Sequence, residues 1–508
     1  MLKKIRVAVA LFFIIALTLL FLDFTGTLHS FLGWTAKIQF FPALLALSLI
    51  PLAFLILLTL VLGRVYCSVI CPLGIFQDAV SRCAGIRKKN RFSYRPPHKA
   101  FIIIRFTLLA VFAVSAGFGI ISIVTVLLEP YSAFGRMVSQ IFSPLYLWVN
   151  NIFAYFAERS DSYAFYSVDI WLKSIPALVV AILTFVTIGI FAWKSGRGYC
   201  NTVCPVGACL GIFAKYAAIK PRINKEMCSK CGICAKNCKS GCIDPVNKEI
   251  DALRCVSCFN CESRCPKGAI TYATKGKTNM KKEKPVSESE GSGKLTNEGA
   301  TRRGLISTAA FLLTGIFARK LHAYDFDGGL VPLEDKKAPA RSVPIIPPGS
   351  LSARNLSRRC TGCQLCVSAC PNNVLRPSNS LNDFMQPNLS FERGYCRPEC
   401  VKCSSVCPSG AISPITTPEK SGTQIGYVVW DKELCIVNVD KVQCDLCEHK
   451  CPTAAIRMIP KDADDPTSLK IPMIDNSRCI GCGACEHLCP ARPYSAIHVE
   501  GIDTHRII

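Results

Sequence analysis

The stretch CSKCGICAKNC (residues 228–238) is followed by CVSCFNCESRCP (residues 255–266). Each holds three cysteines at two-residue gaps and a fourth after three more. Thiols this crowded do not pair readily with one another as disulfides, and the spacing suits an iron–sulfur cluster. Zinc needs only C-x2-C pairs, so the third and fourth cysteines argue against it. In the two-cluster pattern the fourth cysteine of each run serves the other cluster. One expected ligand set is Cys228, Cys231, Cys234 and Cys265; the other is Cys255, Cys258, Cys261 and Cys238. Ala269 and Ile270 then open an apolar strand that lids the loop. Cys238 is followed by Lys239 instead of proline, and Cys242 stands close by as a spare thiol.

Toward the carboxyl terminus the pattern recurs four times. The runs are Cys360, Cys363, Cys366, Cys370; Cys396, Cys400, Cys403, Cys407; Cys435, Cys444, Cys447, Cys451; and Cys479, Cys482, Cys485, Cys489. Each ends in proline, and all sixteen cysteines of this region are used. Six [4Fe-4S] clusters in the chain is the direct reading. Runs could exchange their fourth cysteines consecutively, or in a nested scheme of first with fourth and second with third. The nested scheme, which resembles larger four-cluster ferredoxin subunits, is the expected one.

Between the two cysteine-rich regions, residues 273–300 are rich in Lys, Glu, Ser and Gly and read as a flexible linker. Residues 301–323 carry Arg302-Arg303 before a modest apolar stretch, like a twin-arginine export signal set inside the chain or a fifth membrane helix. A Pro-rich extended linker is expected over 324–358 and the four-cluster module over 359–508.

Toward the amino terminus the composition changes. Residues 5–22, 38–62, 106–128 and 176–193 are apolar and near membrane-spanning length. Lys and Arg crowd the segment after the second run, including Arg64, and the segment after the fourth, including Arg197, while the other loops hold few, among them Arg136. By the positive-inside rule the amino terminus and the residues past Lys194 are cytoplasmic. The expected fold is multidomain: a four-helix transmembrane region over 1–220, an α+β bacterial-type ferredoxin module over 221–272, and the second module of the same type. Two membrane runs end alike, in GRVYCSVICPLG (63–74) and GRGYCNTVCPVG (196–207). The repeated unit reads as an internal duplication, and Cys67, Cys71, Cys200 and Cys204 are candidates for a redox-active or metal-binding relay. The plain alternative is that they shape a turn that Pro72 and Pro205 end. Cys83 and Cys209 fit no pattern and read as ordinary buried thiols.

The net charge of +24 would ordinarily suggest nucleic acid. Cluster thiolates bring negative charge that offsets part of it, much of the remainder lies in cytoplasmic loops, and no aromatic–basic interleaving is present, so nucleic acid is not an expected partner.

With these motifs in hand, residues 1 to about 272 resemble the NapH-type membrane proteins: four helices, the Cys67/Cys71 and Cys200/Cys204 motifs, and a cytoplasmic two-cluster ferredoxin. Residues 301–508 are similar to the NapG-type ferredoxins, with a twin-arginine leader and four cluster motifs, including the long gap from Cys435 to Cys444. Such a pair implies a quinol dehydrogenase component that takes electrons from membrane quinol and passes them to a separate periplasmic reductase or cytochrome chain. The resemblance implies a multi-pass protein of the bacterial inner membrane, in contact with lipid and the quinone pool. Its two-cluster module would be cytoplasmic and its four-cluster module periplasmic. The departure is that two proteins are fused, which places the leader mid-chain. The rival reading is a metal-reducing assembly factor for a respiratory oxidase or reductase, whose likeness covers the first half alone. Quinol oxidation needs a base, and Asp23, His29 and Glu129 lie near the outer face, though each reads by itself as a solvated loop residue.

Overall fold

The computed structural model describes residues 2–23, 25–87, 92–96, 98–118, 123–274, 326–327, 331–332, 334–462 and 464–508. Arg302-Arg303 and the expected linker from 275 to 300 lie outside the described residues.

Fourteen α-helices in the described residues precede the first cysteine run. They are α1 (Leu2–Leu22), α2 (Leu28–Leu32), α3 (Trp34–Lys37), α4 (Phe40–Leu45), α5 (Leu49–Leu62), α6 (Tyr66–Val69) and α7 (Pro72–Arg87); then α8 (Lys99–Phe118), α9 (Ile123–Leu128), α10 (Pro130–Met137), α11 (Ser143–Arg159), α12 (Ile175–Ser195), α13 (Gly198–Thr202) and α14 (Pro205–Lys215). Two of them, α1 and α12, are long and apolar enough to cross a membrane. Of the other two apolar runs, one is not a single helix. The second is broken between α4 and α5, where Leu47 takes positive φ and Ser48 is extended. The third holds α8, 20 residues long, and α9, with residues 119–122 between them outside the described residues.

The duplication predicted from the two similar stretches has a clear local form. Gly63 and Gly196 end α5 and α12 at φ of 74° and 65°, a region open to glycine without steric cost. A one-turn helix follows, α6 or α13, and then the second cysteine of the motif. Cys204 is extended because a residue before proline avoids the helical region, and Pro205 takes the first helical position of α14. Pro72 opens α7 in the same way. These prolines therefore begin helices; they do not end the turn.

The first module pairs β1 (Lys220–Ile223) with β4 (Ile270–Ala273) and β2 (Ile243–Asp244) with β3 (Glu249–Ile250), all antiparallel. The lid expected at Ile270 is thus β4. The second module is built from further two-stranded antiparallel sheets, the longest joining Thr423–Trp430 to Ile497–Ile507. Its start differs from expectation. Residues 334–358 are not a free linker but wrap the module: Ile345 and Ile346 are buried, the Leu389 amide donates to the Ile345 carbonyl at 2.8 Å, and Ala353–Arg359 is helical. The apolar Val343-Pro344-Ile345-Ile346 segment supplies the reason, since it can bury side chains that a solvated linker lacks.

At the far end of this sheet His505 has both ring nitrogens buried without a partner among the described residues. Burial pulls its pKa from 6.5 down to about 4. The folded chain keeps it neutral while the unfolded chain takes up a proton below 6.5. Stability is full above that value, falls as pH drops toward 4, and levels off once the folded state is protonated too. His505→Leu should flatten this dependence, seen as a smaller change in urea midpoint between about pH 7 and pH 5 than in the parent chain.

Two modules dock at opposite ends of α1 and α12. At the carboxyl end of α12, the Arg197 amide donates to the Lys239 carbonyl at 3.0 Å. At its amino end, the Ser174 hydroxyl donates to Asn379 Oδ1 at 2.7 Å. At 1.5 Å per residue, 21 residues separate the two contacts by about 30 Å, close to the thickness of a bilayer core.

Candidate functional site

None of the 31 cysteines forms a disulfide. Among the described residues no group of three or more His, Cys, Asp or Glu side chains converges as a single-ion site. The cysteines of the runs instead ring open recesses. One, of about 440 Å³ and partly open to solvent, is lined by Cys228, Cys231, Cys234 and Cys265, the set expected from the first two runs. Cys255, Cys258 and Cys261 lie within electrostatic reach of Cys238, which completes the second set.

In the second module the pairing is consecutive, not nested. A recess of about 340 Å³ is lined by Cys396, Cys400, Cys403 and Cys370. One of about 400 Å³ is lined by Cys435, Cys444, Cys447 and Cys489. Reciprocally, Cys407 faces Cys360, Cys363 and Cys366, and Cys451 faces Cys479, Cys482 and Cys485. Each neighbouring pair of runs thus forms its own two-site unit, and the Cys396 amide joins the units by donating to the Cys482 carbonyl at 2.9 Å. Four-iron clusters fit such recesses: the thiols surround a space without bonding to each other, and amides point at sulfur. Ala269 N reaches Cys265 Sγ at 3.2 Å and Ala455 N reaches Cys451 Sγ at 3.2 Å, the contacts by which a protein tunes a cluster. The spare Cys242 is buried, 3.5 Å from Cys238.

The four thiols of the duplicated motifs come together in the helical domain. Cys71 is near enough to Cys67, Cys200 and Cys204 to feel their charge. Two arginines cross-brace them. Arg64 Nη2 donates to the Cys200 carbonyl at 3.1 Å and lies 3.8 Å from Cys67 Sγ. Arg197 Nη1 donates to the Cys67 carbonyl at 2.6 Å and lies 3.9 Å from Cys200 Sγ. Each repeat's arginine holds the other repeat's cysteine, so the two copies are related by an approximate two-fold exchange. A Cβ on Gly74 or Gly207 would strike that carbonyl and that guanidinium, which is why both motifs close on glycine. Gln77 Nε2 adds a 3.2 Å contact to Cys200 Sγ.

Arg64 and Arg197, expected as loop charges that set orientation, are both fully buried. Arg136, counted in the opposite loop, is also fully buried. The signal that could have revealed the first two is their repetition at the same place before both motifs.

On the first-module side, Arg64 Nη1 donates to the Leu253 carbonyl at 2.9 Å and the Ser257 hydroxyl to the Leu62 carbonyl at 3.0 Å. Both partners flank Cys255. Beside them Asp78 binds Arg6, Arg197 and Lys239 at 3.0, 2.8 and 3.1 Å. On the other side the Tyr199 hydroxyl donates to the Leu128 carbonyl at 2.7 Å. Arg136 bridges the Leu127 and Gly362 carbonyls at 3.3 and 3.4 Å, and Gln140 donates to Gln364 at 2.6 Å. Gly362 and Gln364 flank Cys363. Bonded groups therefore run from the Cys255 set through the four thiols to the Cys363 set.

Asp23, His29 and Glu129 are not solvated loop residues. Glu129 is buried and caps α10, accepting from the Tyr131 and Ser132 amides. Asp23 is buried and holds His29 Nδ1 at 3.0 Å. Burial opposes the Asp23 charge, but hydrogen bonds from Thr25, His29, Gly26 and Leu28 outweigh it and hold the carboxyl below its usual pKa. Cys209 is partly buried, whereas Cys83, expected inside, is exposed on α7.

Comparison with known proteins gives the class. A 4Fe-4S binding domain matches residues 44–91 and again 177–226, the two copies of the duplicated unit. A 4Fe-4S dicluster domain matches residues 359–411 and 442–492, in line with consecutive pairing. The methylamine utilization ferredoxin-type protein MauM of Methylobacillus flagellatus is 30% identical over 155 residues, 30% of this chain and 65% of that protein. The ferredoxin-type protein NapG of Haemophilus influenzae is 31% identical over 166 residues, 31% of this chain and 59% of that protein. The ferredoxin-type protein NapF of Escherichia coli is 28% identical over 165 residues, 32% of this chain and 87% of that protein. The chain spans just under two thirds of the MauM relatives' length. No solved structure matches.

The chain is thus an iron–sulfur protein of the ferredoxin-type electron-transfer class, carrying multiple [4Fe-4S] clusters and related to NapG, NapF and MauM.

Proposed function

We propose that the chain is a membrane-anchored conduit that carries electrons between a two-cluster module on one face of the membrane and a four-cluster module on the other. Quinol is the donor, and a separate reductase or cytochrome is the final acceptor. The observation that carries this reading is the docking of the two modules at opposite ends of α1 and α12, with four thiols between them.

The six cysteine sets would each hold one [4Fe-4S] cluster, and the clusters supply one-electron storage at steps along the route. The contacts of this chain's own residues support one order. Cys228, Cys231, Cys234 and Cys265 form the solvent-side end. Cys255, Cys258, Cys261 and Cys238 face the helical domain. Cys67, Cys71, Cys200 and Cys204 stand in the middle, braced by Arg64 and Arg197. Cys360, Cys363, Cys366 and Cys407 stand nearest the four thiols on the far side, followed outward by Cys370, Cys396, Cys400 and Cys403, then Cys479, Cys482, Cys485 and Cys451, and last Cys435, Cys444, Cys447 and Cys489. Burial of the thiols between helices excludes water from the middle of the path.

Anaerobically purified chain should contain about 24 iron atoms and about as many acid-labile sulfides, four for each of six clusters. A value near 8 would leave the second module without clusters and end the conduit reading. Sidedness supplies the second check. Protease added to spheroplasts should cut residues 334–508 while residues 228–265 survive until the membrane is opened. Equal protection of both modules would place them on one face and overturn the transmembrane route. The metal-reducing assembly reading covers the first half of the chain, and the docked second module gives it no support.

A further inference from the structure

We propose that Asp23 and His29 form the quinol-oxidation site, at the second-module end of α1. The proposal rests on the quinol-fed conduit above and assigns its entry point.

Three observations lead there. The first is a dyad with one free end. Asp23 Oδ1 accepts from the Thr25 amide and hydroxyl and from the Gly26 amide, and Oδ2 accepts from the Leu28 amide. The remaining bond, to His29 Nδ1 at 3.0 Å, fixes the ring. With the carboxylate ionised and the imidazole neutral, Nδ1 is the donor and Nε2 is left as a bare acceptor. The His29 side chain is 8% exposed, yet Nε2 has no partner among the described residues. A buried acceptor left unpaired is costly, and a hydroxyl brought by a ligand would satisfy it. Glu129 offers no such free end, since its carboxylate caps α10.

The second observation is the neighbouring electron acceptor. Lys402 lies between Cys400 and Cys403 and lines their recess. Its ammonium donates to the Thr25 carbonyl at 2.8 Å, in the same loop as the dyad. Asp23 is the charged group bonded to His29, and Lys402 of the docked module contacts the loop between them at Thr25 and Gly26. The third is access from lipid. Phe31, Leu47, Leu49 and Ile50 are 76, 71, 76 and 85% exposed around this end of the helical domain, and Trp34 stacks on Phe12 of α1. Such an apolar rim suits a ligand that diffuses within the bilayer.

The chemistry balances. A quinol gives up two electrons and two protons as its two O–H bonds break and two carbonyls form. One hydroxyl proton passes to His29 Nε2, and Asp23 stabilises the resulting imidazolium. His29 then releases that proton to water, and the second hydroxyl, at the opposite end of the ring, gives its proton to water directly. The Cys370–Cys396–Cys400–Cys403 and Cys360–Cys363–Cys366–Cys407 sets would hold the two oxidised four-iron clusters, one-electron acceptors that would take the two electrons singly. His29 is the catalytic residue and Asp23 the positioning residue.

The test uses the full chain in lipid vesicles, with decylubiquinol or menadiol as donor and bleaching of the cluster absorption as readout. His29→Ala and His29→Gln should each slow quinol-driven reduction about a hundredfold, the lower end of what a general base contributes. Reduction by dithionite and the iron content should stay at parental values. Added imidazole should restore part of the His29→Ala rate, which a purely structural role would not allow. A photoreactive quinone should label residues 23–50 in the parent and less in His29→Ala. A quinol rate within threefold of the parent in His29→Gln, with clusters intact, would overturn the proposal while leaving the conduit standing. If quinol fails to reduce the parent chain itself, the quinol reading falls along with it.

Discussion

Replacing Asp78 by alanine should destabilise the junction between the helical domain and the first module by about 3–5 kcal/mol, the range for breaking a buried ion pair from one side. One carboxylate holds three cations there: Arg6 at 3.0 Å, Arg197 at 2.8 Å and Lys239 at 3.1 Å. The Arg197 side chain is fully buried, and those of Arg6 and Lys239 are nearly so. Without Asp78 three positive charges face one another in a poorly solvated space. The consequence reaches both neighbours. Lys239 follows Cys238 in the chain, and Arg197 braces the Cys67 carbonyl. The first module should therefore loosen as its partner thiols do. Urea midpoints for cluster loss from the two modules, followed separately, check this: the first-module transition should move to lower urea and the distant four-cluster transition should not. Asp78→Asn keeps the shape but not the charge and should cost nearly as much. A shift below about 1 kcal/mol in both variants would mean that water screens the three cations.

Nothing in the sequence singled out Asp78. It is one acidic residue on a helix, and its three partners come from α1, from the turn after α12 and from the first module. The cysteine runs were legible for the opposite reason. Their spacing is local, so three of every four members of each set follow from the chain alone. The fourth is tertiary. In the first module only one partner run exists, and the exchange of Cys238 and Cys265 follows. In the second module four runs leave the choice open, and the nested scheme failed because each consecutive pair folds as its own unit. Hydropathy gave the apolar runs but not the break in the second, because a single positive φ at Leu47 hardly alters an average over twenty residues. Arginine charge was read as orientation. Arg64, Arg136 and Arg197 instead spend their guanidinium donors on buried carbonyls, a role that depends on partners far along the chain. Asp23 and His29 are only six residues apart, but their pairing needs the turn at Thr25-Gly26, where Gly26 has φ of 77°.

Cys67→Ser and Cys200→Ser should each stop electrons from passing between the modules while leaving the clusters of both in place. The two residues lie outside all six recess sets, so iron content and the spectra of each module should match the parent. What changes is the middle of the path. Each thiol stands beside a guanidinium from its own repeat, at 3.8 Å for Cys67 and 3.9 Å for Cys200, and that arginine in turn holds the carbonyl of the other. Serine keeps the size and the hydrogen bonding but lacks the redox and metal-binding chemistry of sulfur. A turn-forming role would survive that change; a relay would not. The measurement reduces the second module with quinol and follows reduction of the first by low-temperature electron paramagnetic resonance after rapid freezing. The parent should show both modules reduced in sequence. The variants should show the second module reduced at the parental rate and the first still oxidised, with transfer slowed at least about a hundredfold. Serine at Cys83, exposed on α7 and outside every cysteine set, is the control and should change nothing. Parental transfer in both variants would reduce Cys67 and Cys200 to packing residues, and electrons would then have to cross from the Cys363 set to the Cys255 set through Tyr199 and Arg136 alone.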